Sequence, residues 1–199
     1  MTKMTRQLMV GLMMAGLAGV GRPAAAQENE GSTISLRMGE PSALIPSDVL
    51  ERSQAEVTRI LRTAGVNGVW IHDASPNAAG PVFTVILRQS KAGAFSNISS
   101  FALGFAPYSK EKRGTIAYVL ADRVVGVSGK YNVDLALLLG LTIAHEVGHL
   151  LLPEGHSDKG LMKADWNKQD FRQAADGRLS FTPPQVESIR TRLGIASAN

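Results

Sequence analysis

Cysteine is absent from this chain of 199 residues. Without a thiol, the fold contains no disulfide, no lipid anchor attached through cysteine and no inhibitory device that depends on cysteine. Stability must therefore come from the burial of apolar side chains and from any metal that the chain binds. Internal repeats and low-complexity linkers are also absent, and the length suits one domain with one core.

The chain also has almost no excess of positive charge when its N-terminal segment is left out of the count. The segment begins with two basic residues, Lys3 and Arg6, and continues with an apolar run over residues 8–21. After the run come Arg22 and an Ala-x-Ala site that ends at Ala26. This layout is typical of a secretory signal peptide. A membrane anchor is the less favoured interpretation, because the run is shorter than the roughly 18 to 20 residues that a membrane span needs. Cleavage would remove three of the 21 basic residues and none of the 17 acidic ones. We therefore expect an exported, almost neutral chain that does not bind nucleic acid.

Hydrophobic periodicity predicts an α/β (α+β) fold. Alternating or β-branched apolar residues predict strands over residues 34–38, 68–73, 81–88, 102–106 and 115–125. Three- and four-residue spacing predicts helices from Ser47, as N-cap, to near Gly65, from Asn132 to about Leu152, and from a capping box at Thr182 onward. Residues 160–177 are expected to be irregular or briefly helical.

The strongest chemical signal in the sequence is a His-Glu-x-x-His pattern. It lies near the end of the helix predicted from Asn132 to about Leu152. His145 and His149 are four residues apart, so on a helix they lie on one face, where two imidazoles can bind one Zn²⁺ ion. Glu146 is rotated by about 100°, within reach of a water at the ion without being a ligand. A carboxylate in that place can act as the general base for hydrolysis.

A third protein ligand is needed, and His156 is the residue that we predict. Pro153 ends the helix, and Gly155 gives a flexible position through which the chain can turn back. Three of the four histidines thus fall within twelve residues. Asp158 is an alternative oxygen ligand, and Glu154 a weaker one.

The apolar helix also admits simpler interpretations. Residues 135–152 are mostly apolar, which suits a buried core helix or a membrane span. Three ionisable side chains in its second half argue against a span. Burial of these three side chains without a partner would cost free energy, and one bound metal ion would serve as a partner for all three. The metal site is therefore the interpretation that we favour.

Other polar and aromatic residues carry weaker signals. His72 is interpreted as a surface or structural histidine, and Trp166 as a core residue or part of a specificity pocket. Tyr108, Tyr118 and Tyr131 are candidates to stabilise an oxyanion, but spacing does not choose among them.

Residues 145–162 resemble the zinc site and Met-turn of the metzincin metallopeptidases. The resemblance implies a zinc peptidase with a mixed sheet, a backing helix, an active-site helix and a small C-terminal subdomain that ends in a helix. It implies that Met162 forms a hydrophobic base beneath the metal, and that an edge strand near residues 103–106 binds the peptide. Two features depart from the clan: His156 stands one residue later than usual, and Met162 follows it unusually closely.

Together these observations predict an exported zinc-dependent endopeptidase that acts on a peptide or protein. Residues 1–26 are the predicted signal peptide, and residues 27–199 one zinc-peptidase-like domain with subdomains over 27–152 and 153–199. No stable membrane span is expected after cleavage near Ala26. The alternatives are a non-catalytic exported zinc- or peptide-binding module of the same fold, and a zinc amidohydrolase that acts on cell-wall peptides.

Overall fold

A computed structural model describes residues 32–39, 43–72, 78–90, 98–99, 101–107, 114–153 and 155–195. The chain divides into two compact units, Met1–Glu30 and Gly31–Asn199. The first unit, with the predicted signal peptide and cleavage site, lies outside the described residues, as do Tyr108 and Glu154. The predicted division of the second unit at Pro153 stays a prediction.

One mixed sheet forms the centre of the second unit. Its five strands, among the described residues, are β1 (Thr33–Met38), β2 (Asn67–Ile71), β3 (Val82–Arg88), β4 (Gly104–Phe105) and β5 (Ile116–Leu120). They are arranged in the order β2-β1-β3-β5-β4, with β4 antiparallel to β5 and the other pairs parallel. The sheet has one apolar buried face, because register places Leu36 beside Phe83 and Val85 beside Ala117.

Helices supply the rest of the described framework. They are α1 (Ser47–Thr63), α2 (Ala121–Tyr131), α3 (Leu135–Leu151), α4 (Lys168–Ala175) and α5 (Pro183–Leu193). Their presence beside a mixed sheet confirms the predicted α/β class. The predicted capping box at Thr182 is found at the start of α5, where the Thr182 N–H donates a hydrogen bond to Gln185 Oε1 at 2.9 Å. None of the helices in the described ranges is long and apolar enough to cross a bilayer.

Three predicted boundaries are wrong. Ser47 is the first residue of α1 rather than its cap, and Pro46 occupies the cap position without a side-chain hydrogen bond. The fifth strand ends at Leu120 and α2 begins at Ala121, because Asp122 in its first turn accepts hydrogen bonds from the backbone and side chain of Ser90. Asn132 does not start α3: its left-handed conformation ends α2.

Helix α3 lies at the centre of the core. It packs against α1 and β5, and nearly all of its residues are buried. The approach to α1 is close at Gly140, where an added Cβ would lie 2.8 Å from the Cβ of Glu56. Since α3 is held on several sides, the side chains that it presents have fixed positions.

Candidate metal centre

The second half of α3 supplies three of the four predicted site residues. His145 and Glu146 are buried, at 7% and 4% exposure, and His149 is half-buried. The helix continues without a break to Leu151, after which Leu152 adopts an extended conformation ahead of Pro153. The predicted helix stop at the proline is therefore confirmed.

His156 returns to the two helical histidines, as predicted. The ring centroids of His145 and His149 lie 4.8 Å apart, and that of His156 lies 5.2 Å from the first and 4.8 Å from the second. One potential ligand atom from each of the three residues lies within 4.8 Å of the others. These three histidines could therefore bind one metal ion between them.

The segment after His156 is held by backbone hydrogen bonds that bring it under α3. Ser157 donates its backbone N–H to the Met162 carbonyl at 2.8 Å, closing a turn, and the Leu161 N–H donates to the Ser180 carbonyl at 2.8 Å. The Gln185 amide, on α5, donates to the Ser157 hydroxyl at 3.0 Å. These bonds tie the segment that follows His156 to Ser180 and to α5.

Met162 lies beneath the helix that carries the histidines. Its side chain is fully buried, and an added Cβ at Gly148 would lie 2.5 Å from the Met162 sulfur. Gly148 stands next to His149 on α3, so only a residue without a side chain lets the methionine approach there. The role of Met162 as a hydrophobic base beneath a metal stays a prediction.

A backbone carbonyl determines which nitrogen of His145 carries the proton. His145 Nδ1 lies 2.8 Å from the Leu161 carbonyl oxygen, which can only accept. In the neutral ring the proton is therefore on Nδ1, and the Nε2 lone pair is available to a metal. That Nε2 lies 3.1 Å from His149 Nε2, so the two helical histidines direct nitrogens to a common point.

Glu146 is held in a narrow space between α3 and the edge of the sheet. Its Oε2 is buried and has no hydrogen-bond partner in the described parts of the chain. An added Cβ at Gly104, on β4, would lie 2.8 Å from both Cγ and Oε1 of Glu146 and 2.6 Å from the Tyr118 carbonyl. A buried carboxyl oxygen without a partner costs free energy, so its position calls for a ligand or a proton.

The histidines and Glu146 lie in a cleft of about 920 Å³. One wall is the segment over residues 101–106, which contains β4, and another is formed by residues 163–166 after Met162. Helix α2 contributes to the lining through Tyr131, whose ring lies 5.4 Å from that of Phe171. The cleft is open to solvent, and its volume lies within the range of ligand-binding pockets.

Arg123 fixes the wall that contains β4. Its guanidinium donates to the carbonyl oxygens of Ser99 and Ala102, at 2.5 and 2.8 Å. Leu103 then accepts a hydrogen bond from the Leu120 N–H at 2.7 Å, immediately before β4 begins. The wall nearest Glu146 is thus tied to both α2 and β5.

Burial sets the charge of the central groups in the metal-free protein. Removal from water lowers the pKa of His145 to about 3 and that of His149 to about 4, and nearby histidines add to both effects. Removal from water also raises the pKa of Glu146 to about 8. Near pH 7 both imidazoles are therefore neutral, which is the form that binds metals. A cation between them would favour the ionised form of Glu146.

These pKa shifts predict a pH-dependent difference between the metal-free protein and its Glu146→Gln variant. Because the folded pKa of Glu146 is raised, its contribution to stability is full below its ordinary pKa of 4.5 and is lost as the pH rises through 8. The variant has no such loss. We expect equal melting temperatures near pH 5 and a variant that melts several degrees higher near pH 8.5, since one pKa unit is worth about 1.4 kcal/mol.

Thermal unfolding followed by circular dichroism, in the presence of a chelator, measures this difference. The two lowered histidine pKa values act in the opposite direction, because their contribution is lost as the pH falls below about 6.5. They are common to both proteins and cancel in the comparison. Melting curves that stay parallel from pH 5 to 8.5 would show that Glu146 is not held neutral.

The other residues singled out in the sequence either lie away from the three histidines or contact other parts of the structure. His72 is exposed at the end of β2, on the opposite side of the sheet from β4, and Asp158 is exposed outside the cluster. Tyr118 stacks on Phe105, with ring centroids 4.8 Å apart, whereas Tyr131 lines the cleft. Trp166 lines it too, which matches its interpretation as a pocket residue.

Two contributors to the site were missed by sequence reasoning. One is the Leu161 carbonyl, which no sequence pattern marks because any residue has a carbonyl. The other is Gly104, whose lack of a side chain makes room for Glu146. An isolated glycine inside a predicted strand is a signal of close approach, and it could have pointed to this contact.

Comparison with known proteins adds no family assignment. No protein-family model matches the chain, and no curated protein matches it. The interpretation of the site therefore rests on its residues and their geometry.

Proposed function

We propose that this protein is an exported zinc-dependent endopeptidase. The observation that carries the proposal is the position of Glu146, a buried carboxyl group whose Oε2 has no hydrogen-bond partner in the described ranges, next to three histidines that line the same open cleft. A carboxylate that is close to a metal centre but not part of its ligand set is the arrangement needed to activate water. Export is proposed from the charged and apolar pattern that ends near Ala26.

Zinc is the ion that suits the donor set best. Three neutral imidazoles are ligands that zinc accepts, and three protein ligands leave one position open, as in catalytic sites. The Nε2 atoms of His145 and His149 lie 3.1 Å apart, close enough for one ion to be held by both. When bound, zinc would lower the pKa of a coordinated water to about 7 and polarise the substrate carbonyl.

Different residues of the chain would hold the ion and move the proton. His145, His149 and His156 would hold the ion, and the Leu161 carbonyl keeps His145 in the required tautomer. In its ionised form, the Glu146 carboxylate would accept a proton from the attacking water and pass it to the leaving amine.

An extended peptide is the substrate that suits the shape of the cleft. Strand β4 is the last strand of the described sheet and lines the cleft beside Glu146. A peptide that runs along this wall would place its backbone carbonyl near the histidines, and pairing with a strand would orient it. The same arrangement is what a metzincin-like peptidase requires, and we propose that kinship on the basis of the site.

Metal analysis combined with hydrolysis tests the proposal. We expect the purified protein to contain about one zinc ion per chain and to cleave an unfolded protein or a peptide library at internal bonds. Removal of the metal with a chelator should abolish cleavage, and added Zn²⁺ should restore it, because the water is activated only when the ion is bound.

The outcomes separate the proposal from its alternatives. One zinc per chain without turnover of any peptide would favour a binding module, and cleavage of cell-wall peptides alone would favour an amidohydrolase. A protein that takes up no zinc or other divalent ion would overturn the metal site itself.

A further inference from the structure

The Leu161 carbonyl accepts two hydrogen bonds, and the second comes from a tryptophan. The Trp166 indole N–H donates to this oxygen at 3.2 Å, while His145 Nδ1 lies 2.8 Å from it. A carbonyl oxygen has two lone pairs, so the two donors together use its full capacity. The carbonyl that selects the His145 tautomer is thus itself held by a side chain.

Trp166 also touches the His145 ring directly. The two ring centroids lie 5.5 Å apart with the planes at 88°, an edge-to-face contact. The indole is half-buried and lines the cleft. One side chain therefore limits both the rotation of the imidazole and the direction of the carbonyl to which the imidazole donates.

We propose that Trp166 is a positioning residue that holds the Leu161 carbonyl and the His145 ring in the geometry required by the metal ion. The proposal rests on the metal-binding part of the proposed function and does not require hydrolysis. Partners of metal-bound histidines generally set ring orientation and metal affinity. Trp166 acts indirectly, through the Leu161 carbonyl that is the hydrogen-bond partner of His145.

Substitution of Trp166 by phenylalanine tests this role, because it keeps an aromatic ring and removes the N–H. The matched control is Trp70→Phe: the Trp70 indole donates to the Gln54 carbonyl at 3.1 Å, away from the histidines. We expect Trp166→Phe to weaken Zn²⁺ binding about 10-fold, the lower end of the range for such partners. Trp70→Phe should bind within about twofold of the parent, as measured by competition with a chromophoric chelator.

Nitrogen NMR of the histidine rings gives a readout that a purely structural role would not change. In the metal-free parent and in Trp70→Phe, we expect the His145 proton on Nδ1 alone. In Trp166→Phe we expect a mixture of tautomers, because the carbonyl has lost one of the bonds that direct it. An unchanged His145 tautomer together with parental zinc affinity in Trp166→Phe would overturn the role of Trp166.

Fluorescence keeps the inference testable if Trp166→Phe does not fold. The chain has two tryptophans, so Trp70→Phe leaves Trp166 as the sole indole. Because its ring touches His145, its emission should change in proportion to bound Zn²⁺. Emission that is unaffected by saturating zinc, or equal losses of affinity in both variants, would count against the proposal. A parent that binds no zinc would overturn the metal site instead, which is a different result from zinc binding that is indifferent to Trp166.

Discussion

Glu146→Gln should retain its metal and lose hydrolysis. The amide has nearly the shape of the carboxyl group but cannot accept the proton of the attacking water, and loss of a general base typically costs about 10²- to 10⁴-fold. The histidines do not depend on Glu146 for their orientation, since His145 is held by the Leu161 carbonyl. We therefore expect kcat to fall about 1000-fold while zinc content stays at one per chain.

Glu51→Gln is the matched control for this result. Glu51 is exposed on α1, remote in sequence from the cleft, and undergoes the same chemical change. It should cleave peptides at the parental rate. If Glu146→Gln cleaved as fast as Glu51→Gln, the proposed mechanism would be wrong even though the metal site could stand.

His156→Ala should weaken zinc binding by about three orders of magnitude. Zinc bound by small protein sites is worth about 10–16 kcal/mol, so one of three ligands accounts for roughly 4 kcal/mol, or about 1000-fold. His156 is exposed and lies outside the helices and strands, so its loss should alter the fold little. Titration with a competing chelator measures the affinity, and thermal unfolding without metal checks the fold.

Two variants complete this comparison. His72→Ala removes an exposed histidine at the far side of the sheet and should leave affinity unchanged. Asp158→Asn tests the alternative oxygen ligand, and we expect no effect, because Asp158 lies outside the cluster. A large loss in Asp158→Asn with none in His156→Ala would reassign the third ligand.

The central part of the site could be predicted because it is local in sequence. His145 and His149 meet through helical periodicity alone, and Pro153 required the helix to end where it does. His156 was harder to predict, since its return depends on the path of the chain after the helix ends and not on helical periodicity. It could still be predicted because a break and a glycine stood before it.

The remaining parts depend on contacts between distant segments, which no local pattern encodes. The approach of Gly104 to Glu146 joins residues far apart in the chain, and the Leu161 carbonyl is chosen by backbone geometry. The error at residues 121–125 has a local cause: Val124 and Val125 favour strands, but the bonds between Ser90 and Asp122 stabilise the first turn of α2. Tertiary contacts there overrode propensity.

The tight fit at Gly104 also decides where the protein could be engineered. Any larger residue there would have to displace either the Tyr118 carbonyl or Glu146, so libraries that vary this wall would mostly return inactive clones. Ala164 and Asp165, on the wall formed by residues 163–166, are exposed and line the same cleft. Selections for an altered preference of the proposed peptidase should therefore diversify that side, where new side chains can meet a ligand without disturbing Glu146.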